Sequence, residues 1–100
     1  MSDKELYSGM IRLHILYHAS KGPIFGLWII EELERHGYKL GPGTLYPILH
    51  ALERKGYLRS AKKREGRQVR RLYRMTPAGR KALAAAKIKV RELVGELFED

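Results

Sequence analysis

Ten lysines and arginines fall between positions 54 and 74 of this 100-residue chain, with one acid, Glu65, among them. The net +9 of that window equals the net charge of the whole chain, so the remainder is neutral. A cationic segment on a neutral body predicts a polyanionic partner: nucleic acid, a membrane surface or an acidic protein. The competing reading is a solvated basic loop. Binding phosphate needs charge and reach, and Lys62, Lys63, Arg64, Arg67, Arg70 and Arg74 supply both.

Other chemistry is sparse. His14 and His18 stand four residues apart, a spacing that can hold zinc, but no third ligand is visible nearby and there is no HExxH glutamate. They are read as partly buried or interface histidines, and neither a metal nor a cofactor is expected. GPGT at 41 to 44 is too short for a phosphate loop and lacks its lysine. With no cysteine, disulfides and thiolate sites are excluded. The acids cluster as solvated pairs, so no catalytic set emerges and the chain is not read as an enzyme. The polar, acidic start lacks the apolar run of a signal peptide. No stretch approaches the roughly 20 apolar residues of a spanning helix. A cytoplasmic protein without a membrane partner is expected.

These residues need elements to position them. Leu6, Met10, Leu13 and Tyr17 recur at helical spacing, and Ile11, Ile15 and Leu16 fill a second side, which predicts a helix over residues 4–19 buried on two sides. A second helix is expected over 25–36, with Leu27, Trp28, Ile30 and Leu33 apolar and Gly37 as its stop. Trp28 is read as core. A third helix is expected over 43–55, with Leu45, Ile48, Leu49 and Leu52 facing inward and Pro47 near its first turn. The period then changes to two. A strand over 57–62, a turn at Glu65-Gly66-Arg67 and a strand over 68–75 make a two-stranded hairpin, with Val69, Tyr73 and Met75 on one face. Thr76 and Pro77 open a last helix. Its Leu83, Ala86, Val90, Leu93 and Leu97 form a heptad seam.

Three helices, a basic hairpin and a further helix make a winged helix-turn-helix, mainly α with a small β-hairpin. In that architecture the third helix enters the major groove and the hairpin lies along the backbone. Thr44, Tyr46, Pro47 and His50 then form its leading edge. Thr44 suits a thymine methyl or a phosphate, Tyr46 a sugar and a phosphate, and His50 a base edge. Lys39 and Arg54, at the two ends, suit phosphates. One compact unit is expected: a reading region over 1–76, with the wing at about 57–75, and a dimerisation helix over 77–100.

The stretch GPIFGLWIIEELERHGYKLGPGTLYPILHALERKGYL, followed by basic residues and LYRMTPAGR, resembles the PadR family of prokaryotic transcriptional regulators. The resemblance implies a homodimeric repressor on an inverted repeat of double-stranded DNA, joined through its last helix. A chain with one helix after the wing is similar to the short subgroup, some of whose members bind flat aromatic drugs at the dimer centre. By that pattern Thr44, Tyr46 and Pro47 fall on the recognition helix and Lys62 to Arg70 on the wing. Trp28 stands where the family favours a smaller or more polar residue, and Gly41 where a Ser or Asp cap is common.

Two-sided apolarity in the first and last helices points to contact between copies, with Leu6, Met10, Leu13, Tyr17, Leu83, Ala86, Val90, Leu93 and Leu97 as the interface. An apolar or aromatic effector wedged there is a further expectation. The alternative of another class is a basic adaptor for RNA or the ribosome. Such readers stack bases on exposed aromatics, whereas Tyr57 and Tyr73 in the basic window read as inward-facing.

Overall fold

The computed structural model describes residues 3–99; the outer limits of the two predicted regions, at 1–2 and 100, lie outside them. The order is α1 (Lys4–Lys21), β1 (Ile24–Phe25), α2 (Gly26–Arg35), α3 (Pro42–Arg54), β2 (Leu58–Glu65), β3 (Gln68–Met75) and α4 (Pro77–Leu97). The sheet is antiparallel in the order β1-β3-β2. The expected hairpin therefore gains a third strand. Ile24 pairs with Tyr73 and Phe25 with Leu72. Two residues between Pro23 and Gly26 are too few to show alternation, so their pairing partner alone makes them a strand.

The core is where the leucine spacings place it. Ile15, Ile29, Leu33, Leu45, Leu49, Leu58 and Tyr73 are fully enclosed. On α1 the buried side is Ile11, Ile15, Leu16 and Ala19, while Leu6, Met10 and Tyr17 face outward. Leu83 is buried in this same core, so that member of the predicted seam serves the protomer. Trp28 is a correction: it is 42% exposed. In the short α2, Ile29 and Leu33 occupy the inward positions one turn apart, and Leu27 and Trp28 are left outside. Val69 is also exposed, because β2 and β3 run out past the core before they turn.

Local chemistry fixes the boundaries. After α2, Gly37 takes a positive φ of 89°. Its N–H reaches Glu34 O, and the Tyr38 N–H reaches back to Leu33 O at 2.9 Å. That Schellman closure is repeated after α3, with Gly56 at φ 83° and Tyr57 N–H on Leu52 O. At the wing tip the two-residue turn begins with Gly66 at φ 60°, the position a II′ turn gives to glycine. Thr76 caps α4 by accepting the Gly79 N–H at 3.0 Å. Its own N–H bonds Tyr57 O.

Gly79 shows how closely α4 starts against the sheet. A methyl group there would run into the Tyr57 carbonyl oxygen and Met75 Sδ. The carbonyl is held by Thr76 and has nowhere to go. Gly79→Ala is therefore expected to destabilise the fold by about 1–3 kcal/mol through overpacking. Urea denaturation checks it: the midpoint falls while the slope stays constant.

Candidate nucleic-acid interface

α3 opens at Gly41, which is extended, with Pro42 in its first turn. Pro47 lies a full turn further in than expected, inside the helix. Having no N–H, it leaves the Gly43 carbonyl without its helical donor. Gly43, Pro47, His50 and Arg54 follow one another at four, three and four residues, and all are exposed. They form the open face of the helix, opposite Leu45, Leu49 and Leu52.

The leading edge drawn from sequence is thereby divided. Pro47 and His50 lie on the open face, while Tyr46 and Thr44 lie on opposite flanks. Tyr46 is half-buried, packed against the core, with its phenol against Gly26 at the start of α2. Thr44 is half-buried beside Ile48 in a shallow depression shared with Ser8 and Arg12 of α1. Sequence spacing alone cannot separate flank from front when the helix is only 13 residues long. Lys39 is exposed in the turn before α3, and Arg54 is exposed at its end.

In the wing, alternation separates the cations onto two faces. Lys62 and Arg64 share the Ser60–Tyr73 face with Arg71; Lys63, Arg70 and Arg74 share the opposite face with Arg59; Arg67 occupies the turn. Arg59 and Arg71 were absent from the sequence-derived set, although their parity with Tyr57 and Tyr73 was there to read. Register places Arg59 opposite Arg74, Lys62 opposite Arg71, and Lys63 opposite Arg70. Like charges directly across a sheet repel. Within the hairpin, Glu65 lies 3.9 Å from Lys63 Nζ and offsets part of this charge. Arg70 lies over the Phe25 ring, 5.4 Å from its centroid, which ties β1 to the base of the arm.

A polar strut joins the wing to α3. The Ser60 N–H donates to Glu53 Oε2 at 2.9 Å, and the Ser60 hydroxyl donates to the same carboxylate at 2.8 Å. Arg71 Nη1 in turn donates to Ser60 Oγ at 3.0 Å. Sequence reasoning passed over Glu53 and Ser60, whose contact crosses the α3–β2 connection. The hydrogen bonds from Ser60, with Arg71 and His50 nearby, hold the Glu53 carboxyl below its ordinary value. A depressed carboxyl contributes stability above the unfolded value of 4.5. That contribution is lost as pH falls through the lower folded value. Wild-type melting temperature is therefore expected to drop more steeply than that of Glu53→Gln below about pH 4.5. Thermal denaturation between pH 6 and pH 3 measures the difference.

The histidine pair requires a second correction. A third imidazole, His36 at the end of α2, joins His14 and His18, and the ligating nitrogens of all three lie within 4.8 Å of one another. The contact crosses from α1 to α2, so one helix's spacing could not reveal it.

The matches to known proteins converge. A model of the transcriptional regulator PadR-like family matches residues 15–85. The chain belongs to that family. It is a transcriptional regulator, and the PadR family's members are regulators rather than enzymes. Transcriptional regulator Rv3488 of Mycobacterium tuberculosis is 46% identical over 95% of this chain and 89% of its own. The crystal structure of a PadR family regulator from Eggerthella lenta superposes with a TM-score of 0.82 at 31% identity, over 95% of this chain and 87% of that one. Bacillus subtilis PadR, solved in complex with operator DNA, shares the fold at TM-score 0.71 and 20% identity, over 79% of this chain and 46% of its own. The winged-helix architecture expected from element order is thus the architecture of the PadR relatives. Among the described residues, no helix is long and apolar enough to cross a membrane.

Proposed function

We propose that this PadR-family chain represses transcription as a homodimer, each copy placing the open face of α3 in a major groove and its wing along the phosphates. The observation that carries this reading is the Glu53–Ser60–Arg71 strut, which holds an exposed helix face and a dense cationic arm at one fixed angle. His50 and Arg54 supply donors at the groove, Lys39 flanks the entry, and Tyr46 and Thr44 brace the helix while meeting the backbone beside it. Lys62, Lys63, Arg64, Arg67, Arg70, Arg71 and Arg74 neutralise phosphates. Selection of bound duplexes from a random pool tests it. Two-fold symmetric sites with half-sites about one helical turn, roughly 34 Å, apart are expected. Preference for structured RNA over every duplex would refute it. Burial of Tyr73 and partial burial of Tyr57 leave those two rings unavailable as stacking platforms, which favours the duplex.

Dimerisation is supported by the surface between α1 and α4. Met10, Leu13 and Tyr17 from one helix and Val90, Leu93, Val94 and Leu97 from the other line an open groove of about 810 Å³. Leu6 extends the apolar surface at 73% exposure, and Ala86 is half-buried at the start of the seam. Contiguous apolar surface rimmed by charge marks an interaction site. A flat aromatic effector fits the same groove and would relieve repression only by favouring one spacing of the reading heads over another.

A further inference from the structure

Three imidazoles converge where α1 passes the end of α2, in the lining of the α1–α4 groove. His14 and His18 sit one turn apart on α1, and His36 is the C-cap residue of α2. The His14 and His36 rings stack with centroids 4.8 Å apart. His18 Nε2 is buried without a hydrogen-bond partner. One carboxylate serves the cluster: Glu32 Oε1 is 3.5 Å from His36 Nε2 and 3.9 Å from His18 Nε2, the latter beyond hydrogen-bond reach. Glu32 is itself largely covered. A buried imidazole nitrogen with no partner is costly unless something binds there.

We propose that His14, His18 and His36, with Glu32 beside them, form a site for one divalent transition-metal cation of the zinc type. Nitrogens around a tetrahedral zinc lie about 3.3 Å apart, given Zn–N bonds of about 2.0–2.1 Å. The present separations, up to 4.8 Å, would have to contract by rotation of the imidazole side chains as the ion binds. Imidazole ligands select Zn²⁺, Co²⁺, Ni²⁺ or Cu²⁺ over Mg²⁺ and Ca²⁺. Burial and the neighbouring imidazoles hold His14 below its usual range, and burial does the same to His18. Coordination requires imidazoles in their neutral form. Glu32 either takes the fourth position or orients the imidazoles from behind. Because His36 immediately precedes the turn into α3, a bound cation would fasten the reading head to α1.

The chain carries its own reporter. Trp28, its single tryptophan, meets His18 edge-on with ring centroids 5.3 Å apart. Untagged protein, stripped with chelator and then dialysed, is titrated with CoCl₂ while visible absorption and Trp28 emission are followed. One Co²⁺ per chain is expected, with tetrahedral d–d bands, quenched emission and displacement by ZnCl₂. His36→Gln, on the surface and with its fold checked by circular dichroism, should bind at least about 10-fold more weakly. His18→Ala should abolish the bands. Glu32→Gln should weaken binding by about 10-fold. Co²⁺ binding that survives His36→Gln and His18→Ala unchanged, or that leaves Trp28 emission unaltered, would overturn the assignment. So would wild-type binding no tighter than that of a variant carrying both His18→Ala and His36→Gln.

Discussion

Leu93→Glu combined with Leu97→Glu is expected to yield a monomer and to lower affinity for a two-fold symmetric duplex by about 100-fold or more. Both side chains are exposed on one protomer, at 53% and 66%, and neither belongs to its core. The protomer should therefore keep its secondary structure. The proposed dimer would not survive, because two carboxylates from each copy would enter the apolar seam without partners. Dimerisation makes the second half-site contact intramolecular, and a monomer loses that gain of about 10²–10⁴ without losing any single DNA contact. Sedimentation velocity and a titration against the selected duplex measure both effects. A variant that sediments like wild type would show that the seam joins nothing.

The second large effect concerns the wing. Lys62→Ala with Lys63→Ala removes one cation from each face of the hairpin, and each lysine stands opposite an arginine. A dimer then loses up to four phosphate contacts. The slope of log affinity against log salt should become shallower by about 3–4, since each contact contributes about 0.9. Sequence preference should persist, because phosphates carry none. Stability should move the other way. Relief of the Lys62–Arg71 and Lys63–Arg70 repulsions should leave the melting temperature equal or higher at low salt. The exposed Lys63–Glu65 pair lost in the exchange is worth little. An unchanged salt slope would remove the wing from the phosphate-binding role.

Much of this frame was legible because helices announce themselves by period. Leu45, Ile48, Leu49 and Leu52 predicted the inward face of α3, and Gly37 and Gly56 predicted the ends of two helices. Thr76-Pro77 predicted the start of α4 to the residue. The misreadings share one physical cause, the dependence of a residue's setting on contacts distant in sequence. Ile24 and Phe25 become a strand only because β3 is there to pair with them. Trp28 has a core residue's chemistry, but α2 has just one inward stripe, and Ile29 and Leu33 fill it. Tyr46 leaves the front of α3 because Gly26 has no side chain to keep its phenol away. His36 reaches His14 and His18 through a tertiary crossing that no local pattern encodes. The basic window was visible as a sum, but its division into two faces needed the register.

The front of α3 is chemically bare. Of its four outward positions, glycine and proline supply no side-chain hydrogen bonds, and only His50 and Arg54 can address base edges. So few donors would discriminate few base pairs directly. A bare ridge in the proposed position would read instead the shape of the groove, where the cost of deforming a given sequence is the signal. Operators for this regulator should then differ at the letters it touches and agree in stiffness and groove width between them.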